Sequence, residues 1–279
     1  MRRRPFLLVD VFTAEAYAGN PLAVVLDGEG LTTDEMQRFA NWMNLSETSY
    51  LLSPTKAGAD YRVRIFTPTR ELPFAGHPTL GSCHAWLTTG EKPNDPEHVV
   101  QECAAGLIAV RPSSGRLAFA APPLLRSGPV DEPLVARVAG ILGIDRGDVA
   151  EAEWVDNGPG WIGVRLADAD AVLALSPGFV EELDIGVVGF YPPGSPFVYE
   201  VRAFFPKNGV TVEDPVTGSL NASLAQWLLR SGKVTAPYVA SQGTAMGRAG
   251  RAHIAWDGGD TDIWVGGSTV TCVTGTVDL

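Results

Sequence analysis

The sequence predicts an α+β protein built from two similar halves, and three observations carry that prediction. One segment occurs twice, about half the chain apart. The first copy is Arg64-Ile-Phe-Thr-Pro68, followed by Gly76-His77-Pro78-Thr79-Leu80-Gly81-Ser82. The second is Arg202-Ala-Phe-Phe-Pro206, followed by Glu213-Asp214-Pro215-Val216-Thr217-Gly218-Ser219. Both read R-x-F-x-P, a short gap that differs by one residue, then x-x-P-x-x-G-S opening an apolar run. The second observation is that each half carries many short strand patterns around one long helix. The third is that strands and helices do not alternate strictly, which points to mostly antiparallel or mixed sheets. Two copies of one unit predict a pseudo-twofold axis, with a cleft on it where two helix N-termini face one ligand. The copies differ where chemistry would be done, with His77 in one and Asp214 in the other.

Taken in order, Phe6 to Phe12 is rich in β-forming residues and reads as an opening strand. Leu22 to Leu26 reads as a second, after the turn Gly19-Asn20-Pro21. Thr32 and Glu35 stand at capping-box spacing and open a helix. Met36, Phe39, Ala40 and Met43 fall at i, i+3, i+4 and i+7, so one face of it packs on a core. That helix stops near Asn44, and Ser46-Glu47-Thr48-Ser49 leads into a strand through Leu52. Tyr61 to Phe66 alternates as a strand. Pro78 to about Thr89 reads as a helix with Leu80, His84 and Leu87 on one face and Gly90 at its stop. Val99 to Cys103, Leu107 to Val110 and Arg116 to Ala120 read as short strands, and Pro122-Pro123 and Gly128-Pro129 then break the pattern. The domain boundary falls there, giving domains of 1–125 and 126–279, with the terminal strand free to return to the first.

The second half opens with a helix from about Glu132 to Leu142, ended by Gly143. Strands are expected near Ala152 to Val155, Ile162 to Leu166 and Phe197 to Phe205. Pro215 to Leu229 is the second motif helix, with Leu220, Leu224, Trp227 and Leu228 on its buried side and Gly232 at its end. Strand patterns follow at Tyr238 to Ser241, Arg251 to Trp256, Asp262 to Val265 and Thr269 to Val277.

Composition narrows the class of function. The 279 residues are 45% hydrophobic and 19% charged, which suits a compact soluble fold. A net charge of −11, with no basic run beyond Arg2-Arg3-Arg4, disfavours nucleic acid as a partner. Those arginines precede an apolar stretch that Asp10 cuts short, with no small-residue cleavage site after it, so no signal peptide is expected. No apolar run approaches the roughly 18 residues that span a bilayer. A cytoplasmic protein away from membranes is the expectation. Cys83, Cys103 and Cys272 are odd in number and unpaired in spacing, which fits reduced thiols.

Gly158-Pro-Gly160-Trp-Ile-Gly163 matches G-x-G-x-x-G, but a strand pattern follows it where a dinucleotide site needs a helix. His77 and His84 are two helical turns apart, with no third ligand at metal spacing. The paired x-x-P-x-x-G-S is more informative. Proline suits a first helical turn, glycine lets a ligand approach the backbone, and free N–H groups attract carboxylates. Gly76, Gly218, Thr217 and Ser219 are therefore the candidate substrate-binding residues. Ser219 and Asp214 also suit ordinary helix capping, and Glu47, between a helix and a strand, suits an exposed loop. As a general acid or base, Glu47 would need burial to raise its pKa from about 4.3 toward the working pH.

Asp10-Val-Phe-Thr13, Gly19-Asn20-Pro21-Leu22-Ala23-Val24, Asn44-Leu45-Ser46-Glu47-Thr48, Phe66-Thr67-Pro68, Leu72-Pro73-Phe74-Ala75-Gly76-His77-Pro78-Thr79 and Glu213-Asp214-Pro215-Val216-Thr217-Gly218-Ser219 together resemble the PhzF family of phenazine-biosynthesis isomerases. Gln242-Gly243 and Met246-Gly247-Arg248 extend the match to the end of the chain. The resemblance implies a diaminopimelate-epimerase-like fold, two similar domains each wrapping a curved sheet around a central helix. It implies a homodimer that needs no metal or organic cofactor. It also implies an isomerase that moves a proton within a small carboxylated substrate such as trans-2,3-dihydro-3-hydroxyanthranilate. Carried over residue by residue, Glu47 resembles the proton-shuttling glutamate, and His77, Asp214 and Ser219 resemble residues that hold the substrate and assist transfer. The superfamily's two-thiol racemases place cysteines where this chain has Ala75-Gly76 and Asp214-Pro215. Epimerisation of an amino or hydroxy acid by Glu47 with Asp214 or His77, and ligand binding without turnover, are the other readings. After Ser219 the chain has Leu220-Asn221-Ala222-Ser223 where phenazine members tend to have small residues, so its substrate need not be the dihydrohydroxyanthranilate.

Overall fold

The computed structural model describes residues 1–258 and 263–279. The chain divides into two compact units, Met1–Ala120 with Gly266–Leu279, and Ala121–Val265. Both are α+β.

The first unit contains strands β1 (Arg3–Val11) and β2 (Asn20–Val25), helix α1 (Thr33–Met43), then β3 (Thr48–Leu52), β4 (Tyr61–Phe66) and β5 (Glu71–Leu72). Helix α2 (Gly76–Thr88) follows, then β6 (Val99–Cys103), β7 (Gly106–Ser113) and β8 (Arg116–Ala120). The capping box expected at α1 forms: Thr32 accepts from the Glu35 N–H, and Glu35 accepts from the Thr32 N–H. Met36, Phe39 and Ala40 then pack with Val25, Tyr50 and Phe66 in a buried cluster. Strands β1 and β2 are antiparallel, β2 and β3 parallel, β3 and β4 antiparallel. β4 then forms a hairpin with β5 and runs parallel to β6, which pairs antiparallel with β7. The chain's last strand, Thr269–Asp278, lies antiparallel to the whole of β1.

The second unit contains β9 (Arg126–Pro129), α3 (Glu132–Leu142), β10 (Glu151–Asp156), β11 (Ile162–Arg165), α4 (Ala169–Leu173), β12 (Ile185–Phe190), β13 (Tyr199–Lys207), β14 (Val210–Asp214), α5 (Gly218–Arg230), β15 (Tyr238–Gln242) and β16 (Gly250–Trp256). Its pairings repeat those of the first unit in the same order. β10 and β11 are antiparallel, β11 and β12 parallel, β12 and β13 antiparallel. β13 forms a hairpin with β14 and runs parallel to β15, which pairs antiparallel with β16. Strand β17 (Ile263–Gly267) carries the chain back into the first unit. The strand expected from Asp262 thus begins, as far as described, at Ile263; Asp262 lies outside the described residues.

Structure re-registers the sequence repeat. Tyr61-Arg-Val-Arg-Ile-Phe66 and Tyr199-Glu-Val-Arg-Ala-Phe204 occupy β4 and β13, and each arginine makes the same two contacts. Arg64 binds both carboxylate oxygens of Glu71 at 2.7 and 2.6 Å and lies 5.1 Å from the Phe66 ring centre. Arg202 binds both oxygens of Glu213 at 2.9 and 2.7 Å and lies 4.9 Å from that of Phe204. Glu71-Leu-Pro-Phe-Ala-Gly-His77 therefore matches Glu213-Asp-Pro-Val-Thr-Gly-Ser219, and the helix begins at the glycine in both. Pro73, not Pro78, is the counterpart of Pro215. His77 corresponds to Ser219, and Asp214 to Leu72. The length difference sits in the hairpin loop, between Phe66 and Glu71 in one copy and Phe204 and Glu213 in the other.

The expected helix from Pro215 accordingly starts three residues later. Asp214 is the last residue of β14, paired with Ala203, and a residue before proline is held extended. The other motif helix starts two residues earlier than expected, at Gly76. Both motif helices are buried nearly all round and not on one face, as a helix with apolar residues on every side must be. Gly186 on β12 makes room for α5: a methyl group there would lie 2.3 Å from Leu220 Cδ1. Strands β9 and β12 and the short helix α4 were not expected. No helix among the described residues is long and apolar enough to cross a membrane.

Candidate active site

In the first unit, Glu47 follows the left-handed cap residue Asn44 (φ 52°) that ends α1, and directly precedes β3. His77 occupies the second position of α2 and is almost fully buried. The two meet: Glu47 Oε2 lies 3.3 Å from His77 Nε2, with 15% and 6% of their side chains exposed. Burial pushes the His77 imidazole down to about 3, so near pH 7 it is neutral and the contact joins a carboxyl group to an uncharged ring. The loop carrying Glu47 is thus drawn in beside a helix N-terminus and is not an exposed turn.

In the second unit, Asp214 ends β14 as a buried carboxylate and accepts a 2.6 Å hydrogen bond from the Thr217 hydroxyl. Gln242, at the end of β15, ties this turn together. Its side-chain oxygen accepts from the Thr217 N–H at 3.0 Å and from Asn221 Nδ2 at 2.8 Å. Its Nε2 donates to the Asp214 carbonyl at 3.1 Å and to the Thr217 hydroxyl at 2.9 Å. Ser219 stands in the second position of α5, where its hydroxyl accepts from Trp161 Nε1 at 3.0 Å. Its carbonyl accepts from Asn157 Nδ2 at 2.8 Å. In the first unit Gln101 plays a part similar to that of Gln242. From the strand parallel to β4 it donates to Thr79 in the first turn of α2, and Thr79 donates to the Ala75 carbonyl.

The helix N-termini separate into two kinds. α1, α3 and α4 are capped by side chains, with Thr32, Asp131 and Asp168 accepting from the first turn. α2 and α5 carry no side-chain cap, because Ala75 has no acceptor and the Thr217 hydroxyl is turned to Asp214 and Gln242. Leading N–H groups of both motif helices are left to another partner, and the helix dipole favours an anion there.

Other sequence candidates are engaged elsewhere. His84 Nε2 is 2.9 Å from the Thr271 hydroxyl, and burial lowers its pKa. Cys83 is buried and its thiol pushed up to about 12, and burial raises Cys103 as well, so neither supplies a thiolate near pH 7. Leu220 packs over Gly186 and Asn221 binds Gln242, so the residues after Ser219 that depart from the small-residue pattern serve the interior of the second unit. Gln101, Asn157 and Trp161 carried no sequence signal of a role at the site. Gln242 carried one only as part of a matched motif.

Comparison with known proteins adds an independent line. The family model described as phenazine biosynthesis-like protein (PhzC-PhzF) matches residues 9–275. Antisense-enhancing sequence 1 of Schizosaccharomyces pombe is 34% identical over 295 residues, covering 99% of this chain and 99% of that protein. Trans-2,3-dihydro-3-hydroxyanthranilate isomerase of Pseudomonas aeruginosa is 33% identical over 264 residues, covering 91% of this chain and 90% of that one. Among solved structures, a PhzF-family phenazine biosynthesis protein of Bacillus anthracis superposes with a TM-score of 0.83, covering 100% of both chains at 22% identity.

Proposed function

The chain belongs to the phenazine biosynthesis-like (PhzC-PhzF) family and is an isomerase, and on that premise we propose that it moves a proton between carbons of a small carboxylated substrate of the trans-2,3-dihydro-3-hydroxyanthranilate type, with Glu47 as the acid/base. The observation that carries this reading is the contact of Glu47 with a neutral, buried His77 at 3.3 Å. A carboxylate so placed takes a proton from an acidic C–H. The electron pair left behind spreads into the conjugated substrate, and the same carboxyl group returns the proton to a different carbon. One positioned group of this kind contributes about 10²–10⁴-fold. Keeping water away preserves the enolate- or enamine-like intermediate. His77, being uncharged, positions Glu47 without neutralising it. Asp214 is the second unit's candidate acid/base group. Each uncapped N-terminus is by itself an end that favours an anion: Gly76 opens that of the first unit, and in the second Thr217-Gly218-Ser219 opens one that binds a substrate carboxylate.

Glu47→Gln tests the reading. Exchange of the substrate's carbon-bound hydrogen with deuterated solvent, followed by NMR, should fall by at least about 10²-fold, with ligand affinity little changed. Exchange at the wild-type rate would remove Glu47 from the chemistry.

A further inference from the structure

The glycine-rich run that mimics a nucleotide fingerprint has an unassigned role in this fold. Gly158 and Gly160 adopt φ of 142° and 92°, and both N–H groups donate to Asp156 Oδ1, at 2.7 and 2.8 Å. These bonds fold residues 156–160 into a tight loop, and Asn157 within it and Trp161 just after it both reach Ser219. Trp161 is itself buried. Ser219 is the one residue from Thr217 to Leu229 that is not.

We propose that this loop is a positioning element for Ser219, with Trp161 setting the polarity of its hydroxyl and Asn157 pinning its backbone. An indole N–H can only donate, so it takes the acceptor side of the Ser219 oxygen at 3.0 Å. The hydroxyl proton is then the group left to present to a ligand, and its complement is an acceptor, best an anionic one such as a carboxylate. Selectivity for a carboxylate over its carboxamide is thereby built into a residue that never touches the substrate. This inference rests on the function proposed above, in which Ser219 helps bind that carboxylate.

The test titrates full-length wild type, Trp161→Phe, Ser219→Ala and the double variant with 3-hydroxyanthranilate and with its carboxamide, and records thermal unfolding of each. Trp161→Phe keeps an aromatic side chain and removes the N–H together with the five-membered ring, and the double variant with Ser219→Ala separates the lost hydrogen bond from the lost volume. The single variant's preference for carboxylate over carboxamide should fall about tenfold, the worth of a hydrogen bond to a charged group, and should change less than about twofold when Ser219 is already alanine. An unchanged preference in Trp161→Phe, or an equal change in the Ser219→Ala background, overturns the proposal, as does a wild type that shows no preference. Should Trp161→Phe fail to fold, the indole N–H resonance of Trp161 in the otherwise native chain decides. Ser219→Ala should move it upfield, and an unmoved resonance overturns the assignment. Failure here with Glu47→Gln still inactive removes the positioning role alone. Exchange unaffected by Glu47→Gln removes the function proposed above.

Discussion

Burial at His77 sets the charge of the candidate acid/base pair. Its pKa falls from about 6.5 in an unfolded chain to about 3. Between those values the unfolded chain holds a proton that the folded chain does not, so acidification from pH 7 draws the protein toward unfolding. By pH 4.5 the loss from this one ring is about 2 kcal/mol. His77→Gln should therefore lose about 2 kcal/mol less than wild type between pH 7 and pH 4.5 in urea titrations. Equal losses would mean that His77 is not the buried neutral ring described. Glu47, His77, Asp214 and Ser219 could be named as candidates from the sequence because motif order singled them out, and the Glu47–His77 contact joins two of them. Their supports could not be. Trp161 and Asn157 lie 58 and 62 residues from Ser219, and nothing in their neighbourhoods marks that contact. Only the folded loop brings them to it.

Elements with local signals were readable. The capping box at Thr32 and the left-handed Gly143 bracket α1 and α3 where expected. The proline-anchored repeat gave the right pair of helices in the wrong register, because a proline looks the same in a helix's first turn and in the bend before it. The pairing of Arg64 with Glu71 and Arg202 with Glu213 settles the match, since a bidentate contact across a hairpin fixes which residues oppose each other. α4, five residues long, was too short to show a period, and β9 was masked by its Gly128-Pro129. The two arginines share a geometry and differ in setting. Arg202 and Glu213 are 8% and 15% exposed, against 25% and 34% for Arg64 and Glu71. Arg202 also donates to the carbonyls of Val172 and Leu175. Arg202→Met should cost about 3–5 kcal/mol, leaving a carboxylate stranded in the interior, whereas Arg64→Met should cost about 1 kcal/mol or less. Urea midpoints of the two variants check the order, and similar costs would refute the dependence on burial.

For the whole molecule, the repeated order of strand pairings means that one folding pattern is used twice on one chain. The first unit is discontinuous: residues 266–279 belong with residues 1–120. Ending the chain at 267 removes the antiparallel partner that runs the length of β1. Hydrogen exchange on that truncation should show β1 amides losing protection while those of β12 and β13 keep it. Protection retained in β1 would show that its pairing with β2 suffices. The same discontinuity orders events during synthesis. Residues 121–265 are all available before the strand that completes the first unit has been made, so the unit encoded second is the one that can be finished first. At about 5–20 residues per second, the last 14 residues take on the order of a second to add. Strand β1 is made before the second unit, yet it gains the partner that runs its whole length only after every residue of that unit is available, so the first unit's sheet stays one strand short while the second can already fold.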